Sequence, residues 1–247
     1  MPVALTSSAR LRPAALGTCH PAFGLDAVSL GYNGSPVVAG ISGQFPQGSL
    51  TAIVGPNGGG KTTLLKGLLG LVKVQGGAIK AQHARNEMAY LPQASEVDAG
   101  FPVTVEDFVS TGLWASIGGL RKVKPSMSHL VSEALQALGL HGCATRWMDE
   151  LSGGQFQRMR FARLVVQDAP VILLDEPFTG IDEETTQALL KLIVNWHAKG
   201  KTVIAVLHDL DVVRSHFPHT LAVAGHVLAW GDTPGTLAAL AGARSSP

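Results

Sequence analysis

The sequence contains few cysteines and few charged residues. Only two cysteines, Cys19 and Cys143, occur in 247 residues, and they lie far apart in the chain. This spacing indicates free thiols or small buried residues, and it argues against a disulfide framework or a cysteine-based metal site. Charged residues make up 15% of the chain and the formal net charge is +1. Electrostatics therefore gives no reason to expect nucleic acid or an anionic membrane as the main partner.

Long apolar runs are also missing. No stretch reaches the roughly 18 apolar residues that a membrane-spanning helix needs. The apolar stretch that follows Arg10 and Arg12 is too short, and too broken by proline and histidine, for a secretory signal. Residues 1–22 are therefore interpreted as a loosely ordered amino-terminal extension. We expect the chain to remain in the cytosol.

Short apolar runs that alternate with helical patterns indicate an α/β fold. The predicted strands are 27–32, 48–54, 171–174 and 202–207. The last two are continuously apolar, as parallel strands covered on both faces require. An amphipathic helix is predicted from Glu184 to Lys199, so we expect a mostly parallel sheet with helices on both faces. Residues 103–163 have helical patterns and no clear strand, which predicts a helical insertion.

A glycine-rich loop separates the second predicted strand from a helix. It has the P-loop pattern Gly-x-x-x-x-Gly-Lys-Thr, in which glycines let backbone N–H groups converge on phosphate oxygens. Lys61 is predicted to reach the β- and γ-phosphates of a nucleoside triphosphate, and the Thr62 hydroxyl to bind Mg²⁺. The alternative is a glycine-rich turn with a chance Lys-Thr pair. The predicted phosphate cradle comprises Gly55, Pro56, Asn57, Gly58, Gly59, Gly60, Lys61, Thr62 and Thr63.

Two carboxylates follow the predicted strand 171–174. Side chains at the carboxyl ends of parallel strands line the crevice in which such sheets bind ligands. Asp175 is therefore predicted to hold Mg²⁺ through its water shell, and Glu176 to polarise the attacking water as general base. Alone, these residues would be interpreted as an ordinary acidic turn, but the P-loop favours the catalytic interpretation.

A second glycine loop opens a later helix. Its residues are Leu151, Ser152, Gly153, Gly154 and Gln155. The start of such a helix is an anion site, yet one cradle has no use for a second phosphate site on the same nucleotide. In a head-to-tail dimer, each loop can cap the γ-phosphate that the other chain holds. The alternative is a helix that is merely capped by a serine.

With these motifs in this order, the chain resembles the nucleotide-binding subunits of ABC transporters from about Phe23 to Leu240. The resemblance implies ATP hydrolysis, with ATP and Mg²⁺ as cofactors, and a homodimer that forms on ATP binding. It also implies a P-loop NTPase (RecA-like) α/β core, an antiparallel β edge subdomain and an inserted helical subdomain. Residues 23–247 would form one ABC ATPase domain, with the core at 23–95 and 164–247 and the helical subdomain at 96–163.

The family pattern implies further site residues. Tyr32 matches the aromatic residue that stacks on adenine, although a core tyrosine at a strand end is the alternative. Gln93 matches the Q-loop glutamine that contacts Mg²⁺ and the attacking water, and His208 the switch histidine at the γ-phosphate. Asp182 stands at the D-loop, where it would communicate across the dimer. The implied catalytic residues are Glu176, Gln93 and His208, the Mg²⁺ residues are Thr62, Gln93 and Asp175, and the partner's nucleotide would be contacted by Ser152, Gly153, Gly154, Gln155 and Asp182.

The segment from Gln93 to Val109 resembles the zinc/manganese-uptake branch of ABC importers, in which Ser-Glu-Val-Asp precedes Phe-Pro-Val-Thr-Val. The alternative is a generic Q-loop followed by a helix that Thr104 caps. The resemblance implies a separate integral membrane permease and, through it, an extracytoplasmic metal-binding protein. The chain would then lie on the cytoplasmic face of the membrane. Zinc import is predicted slightly ahead of manganese import, and iron-chelate or haem import is the alternative.

Functions of other classes have less support. A soluble ABC ATPase of DNA repair or ribosome rescue usually has two cassettes or long insertions. A P-loop kinase has no reason to carry the second glycine loop. The remaining histidines match no site of the family, and His216, His219 and His226 lack the cysteine or carboxylate that would complete a metal sensor.

Overall fold

The computed structural model describes residues 21–98, 100–114 and 125–244. The strands are β1 (Pro21–Tyr32), β2 (Ser35–Pro46), β3 (Leu50–Val54), β4 (Val74–Ala81), β5 (Met88–Leu91), β6 (Val171–Asp175), β7 (Thr202–Val206), β8 (His219–Val223) and β9 (Val227–Asp232). The helices are α1 (Lys61–Leu68), α2 (Val105–Ser110), α3 (Pro125–Ala137), α4 (Gly153–Gln167), α5 (Glu183–Ala198), α6 (Leu210–His216) and α7 (Thr233–Arg244). No helix in these ranges is long and apolar enough to cross a membrane.

The larger sheet has six strands in the order β5-β6-β7-β3-β8-β9. The first five pair in parallel, and β9 joins β8 antiparallel at the edge. Consecutive parallel strands are linked by helices, since a parallel pair cannot be joined by a tight turn. The predicted mostly parallel sheet is thereby confirmed. It brings the carboxyl ends of β3, β6 and β7 to one edge.

The smaller sheet is antiparallel, in the order β2-β1-β4. Asn33 and Gly34 connect β1 to β2, with φ angles of 52° and 81°. Two successive residues with positive φ are what a two-residue hairpin turn of type I′ requires. This sheet is the antiparallel β subdomain that the family resemblance implied. The strand β1 includes Pro21 and Ala22, which the sequence assigned to the extension, whereas residues 1–20, with Cys19, lie outside the described ranges.

Alternate residues of the parallel strands enter two different cores. Leu173 and Ile204 face a core shared with the antiparallel sheet, and their neighbours Leu174 and Ala205 face a core shared with α5. All four side chains are almost fully buried. Since side chains alternate between the faces of a strand, continuous apolar runs are needed where both faces are covered. The sequence pattern of these strands is thus explained.

The helical segment has a core of its own. Val105 of α2, Val131 of α3 and Met159 of α4 belong to a third apolar cluster, together with the buried Cys143. Thr104 caps α2, because its side chain accepts a hydrogen bond from the Asp107 backbone N–H. Helix α4 continues to Gln167 and also packs on β5, so it links this segment to the parallel sheet.

Candidate active site

The P-loop lies between β3 and α1, where the sequence predicts it. It forms a cavity of about 270 Å³. Gly55 has a φ of 150°, and a Cβ added there would lie 1.9 Å from the Val223 carbonyl oxygen. Gly60 has a φ of 89° and stands immediately before α1. Only glycine satisfies both the backbone angle and the close approach. The cavity is lined by Val37, Asn57, Gly58, Gly59, Gly60, Lys61, Thr62, Thr63, Gln93 and Glu176.

Lys61 crosses the loop from the first turn of α1. Its Nζ donates to the carbonyl oxygens of Gly55 and Pro56, at 3.0 and 2.9 Å. Burial lowers the pKa of the Lys61 ammonium, and the nearby carboxylates Glu176 and Asp175 partly oppose that shift. The ammonium is therefore held at the loop by carbonyl oxygens that negatively charged phosphates can replace.

Four predicted site residues form one connected network with Glu176. The Gln93 Nε2 donates to Glu176 Oε1 at 3.1 Å and lies 3.4 Å from the Thr62 hydroxyl, while Thr62 Oγ1 donates to Asp175 Oδ1 at 3.0 Å. The His208 Nε2 lies 2.7 Å from Glu176 Oε1. These residues are far apart in the chain, and the parallel sheet gathers them beside the P-loop. The arrangement places Glu176, which contacts His208, at the wall of the P-loop cavity, and the carboxylate of Asp175 beside Thr62 of the same cavity.

Glu176 has an unusual backbone conformation. Its φ is 49°, in the left-handed region that non-glycine residues rarely adopt. Its N–H donates to the Val206 carbonyl oxygen at 3.2 Å, so the neighbouring strand holds this conformation. Strained backbone of this kind clusters at active sites, where surrounding contacts fix it. The carboxylate is consequently directed by its backbone as well as by Gln93 and His208.

Asp175 is suited to a magnesium site. Its side chain is fully buried and its Oδ2 atom has no hydrogen-bond partner. Burial raises the pKa of this carboxyl to about 6, against a hydrogen bond from Thr62 that lowers it. Mg²⁺ prefers few protein oxygen ligands together with phosphates and water, and Thr62 and Asp175 offer a hydroxyl and a carboxylate oxygen. Gln93 faces Thr62 with its Nε2 atom, so its amide oxygen would reach the same place after rotation of the terminal amide. Within the described ranges no cluster of three His, Cys, Asp or Glu residues offers a more complete metal cage.

We expect Asp175→Asn to stabilise the nucleotide-free protein at pH 7. The carboxyl has a pKa of 3.8 in the unfolded chain and about 6 in the folded one. The folded state thus binds the proton more tightly, and stability from this group is complete below pH 4 and lost as the pH rises through 6. The neutral amide avoids that loss of about 2–3 kcal/mol. Urea denaturation in EDTA measures the free energies of unfolding of the variant and the wild type. The difference between these free energies should be about 1 kcal/mol smaller at pH 5 than at pH 7. A constant difference would contradict the shifted pKa.

We expect Gly55→Ala to destabilise the protein more than Gly58→Ala. Gly58 has a φ of 75° and open space where a Cβ would lie, so alanine there meets only a conformational cost of about 1–2 kcal/mol. At Gly55 the collision with the Val223 carbonyl adds about 1–3 kcal/mol. Urea denaturation of both nucleotide-free variants compares the two free energies of unfolding. Equal losses would contradict the close packing of this loop on β8.

The second glycine loop caps α4 and lies apart from the P-loop cavity. The Ser152 Oγ accepts from the Gln155 N–H at 3.2 Å, and the Gln155 Oε1 accepts from the Ser152 N–H at 3.1 Å. These reciprocal bonds form a capping box. Ser152 and Gly153 are exposed, and residues 152–155 do not line the cavity at Lys61. The structure therefore does not bring this loop to the P-loop of its own chain.

Asp182 packs against that second glycine loop. It caps α5, where its carboxylate accepts from the Thr185 N–H at 2.7 Å and from the Thr185 hydroxyl at 3.0 Å. These bonds lower the pKa of the Asp182 carboxyl. A Cβ added to Gly154 would lie 3.1 Å from Asp182 Oδ2. The two predicted dimer elements are thus one packed unit within the chain.

Tyr32 and the other histidines stand outside the network. The Tyr32 side chain is 50% exposed at the end of β1, so its ring is open to a stacking partner. His197 is partly buried beside the Gly48 carbonyl oxygen, at 2.9 Å. His20 lies outside the described residues. His216, His219 and His226 belong to no group of metal-ligating side chains in the described part of the chain.

Two buried polar residues were not predicted from the sequence. Gln157 and Arg160 of α4 are 3% and 2% exposed, and they contact the loops that carry Glu176 and Gln93. Their place just after the second glycine loop was the only available signal. Burial of a charged side chain depends on contacts between distant segments, which a sequence pattern does not reveal.

Comparison with known proteins identifies the family. The family model described as ABC transporter matches residues 38–179. The chain belongs to the ABC transporter family. This ABC protein is 39% identical to the manganese transport system ATP-binding protein MntB of Bacillus subtilis (strain 168), over 85% of the chain and 86% of the relative. It is 38% identical to the zinc transport system ATP-binding protein TroB of Treponema pallidum (strain Nichols), over 84% and 80%.

A solved ABC transporter in an inward-facing conformation has the same fold as this ABC protein. The TM-score is 0.78 at 27% identity, and the match covers 90% of each chain. The fold and the family together establish the chain as an ATP-binding cassette with ATPase activity. The predicted family and enzyme class are confirmed.

Proposed function

We propose that this ABC ATPase powers the import of a divalent metal, zinc or manganese, through a separate membrane permease. The observation that carries the proposal is the network of Glu176 with Gln93 and His208 at the P-loop cavity, in a chain whose relatives serve manganese and zinc transport systems. The Ser-Glu-Val-Asp and Phe-Pro-Val-Thr-Val segments, which resemble the zinc/manganese-uptake branch, support a divalent metal. Of the two metals, we propose zinc slightly ahead of manganese. Neither metal touches this subunit.

The proposed hydrolysis uses the residues gathered at the P-loop cavity. Glu176 accepts a proton from the attacking water, which bonds to the γ-phosphorus as the bond to the β–γ bridging oxygen breaks, and ADP and phosphate leave. Gln93 orients the water and His208 contacts the γ-phosphate. When bound, Mg²⁺ neutralises charge on the β- and γ-phosphates, and Thr62, Gln93 and Asp175 are the residues that would hold it. Tyr32 stacks on adenine.

The catalytic unit in this proposal is a homodimer that forms on ATP binding. Ser152, Gly153, Gly154 and Gln155 open α4 at an exposed position away from their own P-loop cavity. The positive end of that helix suits the γ-phosphate held by a second copy. Asp182 packs beside Gly154 and would therefore lie in the same interface. Two ATP molecules are enclosed between two chains, and hydrolysis reopens the pair.

The permease is proposed to dock where the parallel sheet meets the helical segment. A cavity of about 410 Å³ lies there, and its lining includes Leu71, Arg85, Val97 and Phe108. Val97 and Phe108 belong to the segment that resembles the metal-uptake branch. Docking at this place puts the subunit on the cytoplasmic face of the membrane. The extracytoplasmic metal-binding protein contacts the permease and only indirectly this chain, and nucleic acid has no part.

Metal accumulation in cells tests this function. Cells that carry Lys61→Ala are compared with wild type and with Lys80→Ala, an exposed lysine on β4. We expect Lys61→Ala to abolish uptake of one metal selectively, zinc before manganese, and Lys80→Ala to preserve it. Unchanged levels of both metals would sink the zinc and manganese proposal while leaving the ATPase in place, and iron chelates would then be measured.

A further inference from the structure

Gln157 and Arg160 form a buried polar pair one turn apart on α4. The Arg160 Nη1 donates to Gln157 Oε1 at 2.7 Å, and its Nη2 donates to the Pro92 carbonyl oxygen. The Gln157 Nε2 donates in turn to the Pro177 carbonyl oxygen. The ring of Phe156 lies 5.9 Å from the Arg160 Cζ, so it covers the guanidinium from one side. The pair thus bridges two loops that are distant in sequence.

The burial of Arg160 needs an explanation beyond stability. Its side chain is 2% exposed, and burial lowers its pKa to about 10. In the described ranges its hydrogen-bond acceptors are a carbonyl and an amide oxygen, and it forms no ion pair with a carboxylate. A buried charge without an opposite charge costs free energy that a well-packed apolar side chain would avoid. Arg160 and Gln157 instead connect the loops at Pro92 and Pro177.

Both bridged carbonyls flank proposed catalytic residues. Pro92 immediately precedes Gln93, and Pro177 immediately follows Glu176. On the active-site side, Gln93 Nε2 donates to Glu176 Oε1 at 3.1 Å. The contacts therefore close a ring that runs from Pro92 through Arg160 and Gln157 to Pro177 and returns through the side chains of Glu176 and Gln93. The two loops are therefore connected both through Arg160 and Gln157 of α4 and through the side chains of Gln93 and Glu176.

We propose that Arg160 and Gln157 are positioning residues that hold Gln93 and Glu176 at their working separation. Charge-assisted bonds from one planar guanidinium set this geometry more rigidly than apolar packing does. The helix that carries the pair begins at Gly153, directly after its cap residue Ser152. The inference rests on the catalytic roles proposed for Gln93 and Glu176, and it does not depend on which metal is transported.

The test is steady-state ATP hydrolysis by the purified full-length chain. Arg160→Met removes the donors and retains an unbranched side chain that can stay buried. Since a misplacement of about 1 Å can cost about 10²-fold in rate, we expect kcat to fall about 10- to 10²-fold with the KM for ATP unchanged. The matched control is Arg163→Met on the same helix, whose Nε donates to Thr111 Oγ1 at 2.9 Å and takes no part in the ring. We expect the control to retain the wild-type kcat.

A double-mutant cycle separates positioning from a merely structural role. In a Gln93→Ala background the separation between the Gln93 amide and Glu176 no longer affects the rate, so adding Arg160→Met should lower kcat little further. If Arg160→Met does not fold by circular dichroism, Gln157→Leu breaks the ring at Pro177 and enters the same cycle. A wild-type kcat in a folded Arg160→Met or Gln157→Leu variant overturns the proposal. The proposal is also overturned if the substitution lowers kcat by the same factor in the Gln93→Ala background as in the wild type. Failure of the catalytic assignment itself would appear separately, as an undiminished rate in Glu176→Gln.

Discussion

Replacing Glu176 with glutamine is expected to slow ATP hydrolysis by about 10²- to 10⁴-fold, which is the usual contribution of a general base. The amide has nearly the same shape as the carboxylate, so the hydrogen bond from Gln93 can persist, but it cannot accept the proton of the attacking water. ATP should still bind, because Lys61 and the loop glycines are unchanged. In the proposed cycle hydrolysis reopens the ATP-bound dimer, so the variant should accumulate in that state.

Two measurements on purified Glu176→Gln check this expectation. The phosphate release rate gives the loss of turnover, and size-exclusion chromatography with ATP and Mg²⁺ gives the oligomeric state. Glu184→Gln is the matched control, since Glu184 is an exposed carboxylate on the first turn of α5. It should hydrolyse ATP at the wild-type rate and should not accumulate as an ATP-bound dimer. A wild-type rate in Glu176→Gln would show that another group acts as the base.

Lys61→Ala is expected to weaken ATP binding by about 10²-fold. In the structure the ammonium is nearly buried and held by two carbonyl oxygens of the loop. When phosphates occupy the cradle, the same ammonium can make charge-assisted hydrogen bonds, each of which contributes about 1.5–3 kcal/mol. Alanine removes them and leaves the phosphate charge without its nearest cation. Turnover should fall as a consequence of lost occupancy.

Isothermal titration with a non-hydrolysable ATP analogue measures this affinity directly. Lys80→Ala serves as control, because it removes one positive charge from an exposed strand that does not line the nucleotide cavity. A selective loss in Lys61→Ala supports direct contact with phosphate. Equal Kd values in the two variants would mean that Lys61 only supports the loop through Gly55 and Pro56.

The sequence predicted the parts of the fold that depend on local pattern. Continuous apolar runs identified β6 and β7, since both faces of those strands are covered. The strand β4 was not predicted, because its sequence Val-Gln-Gly-Gly-Ala-Ile-Lys-Ala has two glycines and mostly exposed positions. The hairpin between β1 and β2 had a usable signal in Asn33-Gly34, a pair typical of two-residue turns.

The site was predicted to the extent that its residues follow motifs. The position of Glu176 at the end of β6 follows from the strand pattern, and the parallel sheet then brings Gln93 and His208 to it. Its left-handed backbone angle, the packing of Gly154 on Asp182 and the buried Arg160 depend on contacts between distant segments. No local pattern encodes those contacts. They become visible only when the sheet and α4 are assembled.

The cavity between the parallel sheet and the helical segment shares no lining residue with the nucleotide cavity. Its volume of about 410 Å³ is within the range of about 300–1,000 Å³ that small-molecule ligands occupy. Arg160 forms part of its wall and also touches the loop that carries Gln93. If Arg160 holds Gln93 in place as proposed, a compound that displaces Arg160 from this cavity would lower the turnover number without competing with ATP. Inhibition of this kind would not be relieved by raising the ATP concentration, unlike inhibition by a compound that competes with ATP.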